Sequence, residues 1–220
     1  MNRMIITGVS PYEQAKYTNT SGNVVWEGCG PVAALMLMSY YDKRYGYKKL
    51  IPSGDESTSG TPDDLIQTLR KKMLTTVVSG KQGLTDPTFF KSGLKGYIED
   101  CGYSADMHSY GSSDIGVSVD EVYDKSVSLL RDHIPHVLLL DYDGNMGMFP
   151  SHYVVVVGYN NDHAKKLIVC NGFGDAFQDI DFNDEKIKPV RVIWMGIPQG
   201  GAELRSVNAE VSTRVVTVAS

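Results

Sequence analysis

An α+β fold, a helical half followed by a sheet-rich half, is what the order of apolar patterns along this chain predicts. Three observations carry it. The run Val32 to Tyr41 is continuously apolar apart from Ser39 and follows Gly-Pro, as a buried helix would. Two further helix starts are marked by their caps, Asp86-Pro87 and Ser118-Val119-Asp120-Glu121. From His136 onward β-branched residues dominate, and helices first with strands after is the α+β pattern.

In chain order, the first helix opens near Cys29. Thr61-Pro62-Asp63-Asp64 supplies a cap, a proline at the first helical position and an acidic first turn, so a second helix runs to about Met73. The helix opened by Asp86-Pro87 places Phe90, Leu94, Tyr97 and Ile98 on one face. Ser118 and Glu121 form a capping box ahead of Val122, Val127, Leu129 and Leu130. Strands follow at Val137–Leu140, Val154–Tyr159, Leu167–Cys170 and Val190–Ile197. Pro52 to Gly60 and Ser109 to Gly116, rich in Ser and Gly, read as surface loops. Residues 1–198 form one two-lobed unit; residues 199–220 are a polar tail whose closing Val215-Val216-Thr217-Val218 suits an edge strand or a partner-binding arm.

Bulk properties narrow the function. The chain has 220 residues, 42% of them hydrophobic, enough for a sizeable core. Net charge is −5 with no basic block, which argues against nucleic acid as a partner. Three cysteines leave at least one free thiol, and their spacing fits no zinc pattern. The apolar runs fall well short of the roughly 20 residues of a membrane span, so no membrane insertion is expected. Met1 to Ser10 is too short for a signal peptide, which leaves the cytoplasm, export without a cleaved leader, or a leader outside this sequence as equal readings. Asp141-Tyr142-Asp143-Gly144-Asn145 has the look of a calcium loop but lacks its closing glutamate, so it reads as a turn and no metal is expected.

The chemistry centres on Trp26-Glu27-Gly28-Cys29-Gly30-Pro31. A thiol at a helix N-terminus meets unpaired N–H groups and the positive end of the macrodipole, both favouring thiolate. Glycine on either side leaves room for a substrate chain to approach the sulfur. Buried core cysteines are also common, so these residues alone leave both readings open.

A reactive thiol needs a base, and the base an orienting group. Of the five histidines, His152 alone opens a strongly β-branched strand with a polar candidate at the end of the next. His163 falls in a turn, His133 and His136 flank Pro135 in a loop or cap setting, and His108 has no evident partner. A two-residue turn at Asn161-Asp162 pairs Asn160 with His163 and, eight residues along each strand, His152 with Asn171. Opposed side chains share a face at roughly 4.5–5.5 Å, so the Asn171 amide could accept from one ring nitrogen and leave the other for the thiol. Tyr153 and Cys170 then face the other way, toward the core. Met146-Gly147-Met148-Phe149-Pro150, just upstream, lines the cleft, acts as a lid or packs as a loop.

Gly28-Cys29-Gly30-Pro31 leading into an apolar helix, and His152-Tyr153 leading into Val-Val-Val-Val-Gly-Tyr, resemble papain-like cysteine peptidases. The pattern is most similar to the bacteriocin-processing, double-glycine-leader peptidases and their wider relatives. Where that group has Asp-Pro this chain has Asn171-Gly172-Phe173-Gly174, which resembles the papain arrangement instead. The resemblance implies a papain-like α+β fold, with a helical lobe carrying the Cys29 helix packed on an antiparallel sheet lobe. It implies a Cys29–His152–Asn171 triad that hydrolyses peptide bonds of a peptide or protein through a thioester, without a cofactor. It also implies a glutamine donor for the oxyanion hole: Gln14, with Asn23 as the alternative. A transglutaminase-like acyltransferase uses the same thioester, and an inactive relative would serve as a binding module. The sequence sets no oligomeric state.

Overall fold

The chain begins with β1 (Arg3–Ile5), passes through a hairpin of β2 (Lys16–Thr18) and β3 (Val24–Trp26), and enters α1 (Cys29–Tyr45). Then come α2 (Asp63–Lys72), a second hairpin of β4 (Thr76–Val78) and β5 (Gln82–Leu84), α3 (Pro87–Asp100), β6 (Met107–Gly111) and α4 (Val119–Arg131). Strands β7 (His136–Tyr142), β8 (Ser151–Asn160), β9 (Lys166–Cys170), β10 (Gln178–Asp181) and β11 (Ile187–Met195) complete the order. This computed structural model describes residues 3–51, 63–78, 82–111, 114, 116–142, 151–162, 164–174, 177–184 and 187–196. Expectations for the Pro52–Gly60 loop, the Thr61-Pro62 cap, the Asp143–Asn145 turn, the Met146–Pro150 stretch, His163 and the 199–220 tail fall outside those residues.

Helix α1 is buried continuously from Gly30 to Asp42, and a helix apolar on every side belongs at the centre of its fold. It packs on β8 and β7 on one side and on α2 and α3 on the other. The caps read from sequence are in place. Asp86 accepts from the Thr88 N–H at 2.8 Å, and Ser118 and Glu121 exchange both bonds of a capping box.

The large sheet runs β10-β9-β8-β7-β11-β6, with β1 added beside β8. Every pairing in it is antiparallel. Two of its strands come from the front of the chain, so helices and strands are less segregated than predicted. Ser109 to Gly111, expected in a loop, are the end of β6, where they pair with Arg191 to Ile193. That strand is mostly polar and gains its order from β11, a partner its local pattern cannot announce.

The β8–β9 register also differs from expectation. Asn160 pairs with Lys166, not His163, because the connection is longer than two residues, and a bulge at Val157 shifts the ladder again. Val155 ends up opposite Cys170. Continued one step, this register sets Asn171 level with Val154, so His152 lies diagonal to Asn171 on the same face rather than directly opposed. Gly158 beside the bulge is required by β1: a Cβ there would stand 2.3 Å from the Met4 carbonyl oxygen. The buried apolar residues of helices and sheet form one continuous cluster.

Candidate active site

Cys29 is the first residue of α1, and Gly28 is its cap, with φ 103°, a left-handed value that only glycine adopts without strain. A Cβ on Gly28 would meet the Gly83 carbonyl oxygen and Thr75 Cγ2 at 3.1 Å, and one on Gly30 would meet Thr85 Oγ1 at 2.7 Å. The two glycines therefore admit the protein's own β4–β5 hairpin. On those sides each glycine faces the protein itself.

His152 is the second residue of β8 and is buried. Its Nε2 lies 2.7 Å from the main-chain carbonyl oxygen of Asn171. A carbonyl only accepts, so Nε2 carries the proton and donates, which leaves Nδ1 for the thiol. The Cys29 thiol sits against His152 and the Tyr153 N–H, and both favour its charged form. Burial pushes the thiol up, but these neighbours and the His152 charge outweigh it and hold it below its ordinary value. Burial likewise pushes His152 down, while Cys29 and the Asn171 carbonyl hold it above its ordinary value. Both shifts favour thiolate beside imidazolium. Phe173 stacks on the His152 ring, centroids 4.8 Å apart and planes at 18°, and shields one face of it.

The Asn171 side chain is engaged elsewhere. Its Oδ1 accepts from the Phe173 N–H at 2.8 Å and its Nδ2 donates to Gln178 Oε1 at 2.8 Å. The expected amide-to-imidazole bond is thus replaced by a main-chain one, a consequence of the diagonal register.

Gln14 is buried beside this loop: its N–H donates to the Gly172 carbonyl at 2.9 Å, and its Nε2 has no hydrogen-bond partner among the described residues. Asn23, the alternative, is exposed in the β2–β3 turn, its N–H bonded to Asn19 Oδ1, and is not part of the site. The remaining groups are structural. Burial pushes the Cys170 thiol up to about 12 and raises that of Cys101. His108 stacks on Trp194, His133 is exposed at φ 59°, and His136, expected in a loop or cap, is fully buried at the start of β7. No group of three or more His, Cys, Asp or Glu could hold a metal ion among the described residues. The Tyr153 N–H and the packing of Thr75 and Thr85 went unread in the sequence, since main-chain donors and glycine-filling partners leave no local mark.

A family described as "Peptidase_C39 like family" matches residues 6–183, most of the chain and all of the site. The chain belongs to that family. It is a papain-like cysteine peptidase on an α+β fold. Interpain A, a cysteine protease of Prevotella intermedia, shares the fold at 14% identity, with a TM-score of 0.60 over 88% of this chain and 94% of that one. The Pseudomonas avirulence protein AvrPphB gives a TM-score of 0.33 at 11% identity, over 83% of this chain and 96% of that one. No curated protein sequence matches. No helix among the described residues is long and apolar enough to cross a membrane.

Proposed function

We propose that this family member hydrolyses peptide bonds of peptide or protein substrates with Cys29 as nucleophile and His152 as its general base and acid. The observation that carries this reading is the pairing of a thiol at the start of α1 with a buried imidazole whose Nε2 is held by the Asn171 carbonyl, the thiol lowered and the imidazole raised by each other. The Cys29 thiolate attacks the scissile carbonyl carbon, and the developing oxyanion accepts from Gln14 Nε2 and the Cys29 N–H at the start of α1. Each such donor contributes about 3 kcal/mol in comparable enzymes. His152 gives its Nδ1 proton to the leaving amine, then takes one from the water that resolves the thioester. The Asn171 carbonyl fixes the tautomer throughout. None of these steps calls for a cofactor. The catalytic unit is residues 1–198, as one two-lobed domain.

The test is turnover of a quenched fluorescent peptide library by wild type, Cys29→Ala, His152→Ala and the double variant. Each single variant loses about a thousandfold or more, and the double is no worse, because residues acting as a unit are non-additive. Wild-type turnover by Cys29→Ala refutes the assignment. Products that carry an added amine in place of water would move the enzyme to the acyltransferases.

A further inference from the structure

Two residues before Cys29 stands a carboxylate that the mechanism does not use. Glu27 is 1% exposed, and an isolated buried carboxylate is costly unless paired and hydrogen-bonded. Its Oε2 accepts from the Ala15 N–H at 2.9 Å, while its own N–H donates to the Ala15 carbonyl at 3.1 Å. Ala15 is therefore held by Glu27 through both of its main-chain groups. Its neighbour Gln14 is held by Gly172 on the other side.

The compensating charge comes from α2. Arg70, also buried, donates through Nη1 to the carbonyls of Trp26, at 3.3 Å, and of Glu27, and through Nη2 to the Tyr17 hydroxyl at 2.6 Å. It lies over the Tyr17 ring, and its charge interacts favourably with that of Glu27. Gly83 closes over the pair: a Cβ there would stand 2.9 Å from Arg70 Nη1. The carbonyl side of the Trp26–Glu27 backbone is thus fixed by Arg70, and the Glu27 side chain reaches to the segment that carries the unpartnered Gln14 amide.

We propose that Glu27, with Arg70 as its counterion, is a positioning residue for the reaction: its carboxylate sets the Gln14 amide relative to Cys29. Glu27 acts through Ala15 and, next to it, Gln14. The inference rests on the catalytic reading above and deepens it.

Two substitutions separate reach from charge. Glu27→Asp keeps the charge for Arg70 but withdraws the acceptor by one methylene. Glu27→Gln keeps reach and acceptor but removes the charge. With a quenched fluorescent peptide selected from the library, Glu27→Asp lowers kcat about tenfold or more with little change in KM, since an oxyanion donor acts on the transition state. Glu27→Gln stays within about threefold of wild type on the same scale. Added to Gln14→Ala, Glu27→Asp costs little further, because both act through one amide. Iodoacetamide alkylation of Cys29 forms no oxyanion, so its rate and pH profile stay unchanged in Glu27→Asp.

The reverse order, with Asp tolerated and Gln impaired, overturns the proposal in favour of plain charge compensation. Additive losses with Gln14→Ala overturn it too, as does a fall in alkylation that parallels kcat. If Glu27→Gln does not fold, the Asp variant and its cycle with Gln14→Ala still decide. Failure of the underlying reading looks different: Cys29→Ala would then retain turnover.

Discussion

His152 has one ring nitrogen for the thiol and one for an acceptor, and the acceptor is a main-chain carbonyl at 2.7 Å. The side chain of Asn171 instead ties the 171–174 turn to itself and to β10. Removing that side chain leaves the carbonyl in place. Asn171→Ala should therefore keep measurable turnover, down about tenfold, through a looser turn and a less constrained Phe173 rather than a lost tautomer. The same variant gives a second readout. With the thiol lowered and the imidazole raised, the ion pair persists below the ordinary thiol range and above the ordinary imidazole range. Iodoacetamide at about pH 6 should label Cys29 ahead of Cys101 and Cys170, whose thiols are raised by burial. Mass mapping of the adducts checks this. Selective labelling should survive Asn171→Ala and disappear in His152→Ala. Equal labelling of all three cysteines would remove the basis for an activated thiol.

At the scale of elements, what the sequence made legible was what local chemistry specifies. Asp86, Pro87, Ser118 and Glu121 cap helices with their own side chains, and Val154–Tyr159 is too rich in β-branched residues to be anything but buried strand. Strands β1 and β6 escaped because each is short and ordered by a partner far away in the chain. The β8–β9 register was misread because a bulge at Val157 leaves no residue-type signal, and with it went the role of the Asn171 side chain. Strand β7 carries a further consequence. His136 opens it fully buried, its Nδ1 bonded to the Ile134 carbonyl, and burial pushes its pKa down to about 4. The fold therefore holds the ring neutral, while the unfolded chain protonates it near 6.5. Its contribution is complete above pH 6.5 and is lost as pH falls through the window down to about 4. About 3 kcal/mol goes with it, from the size of the shift. Urea unfolding at pH 7 and pH 4.5 should show a steeper acid loss for wild type than for His136→Leu. Parallel losses would mean that His136 is not the responsible group.

The whole molecule sets the proposed nucleophile and base on different elements: Cys29 comes from the central helix, His152 from the sheet. In a two-lobed protein the halves could separate before either unfolds. Here α1 packs directly on β8, the Tyr153 ring from the sheet stacks on Phe90 of α3 with centroids 5.1 Å apart, and its hydroxyl donates to the Thr85 carbonyl at 3.1 Å. The N-terminal strand adds a further tie, since β1 is hydrogen-bonded to β8 and leads straight to Gln14 beside the Gly172 carbonyl. With one apolar cluster continuous through helices and sheet, the energetic unit is the whole of it rather than either half. The expectation is a single cooperative transition in urea. Acid-range alkylation of Cys29, which reports the thiolate–imidazolium pair, should fade at the same midpoint as far-ultraviolet circular dichroism. A pair lost at distinctly lower urea, with helix and strand signals intact, would mean that the cleft opens first and that residues 1–198 are two folding units.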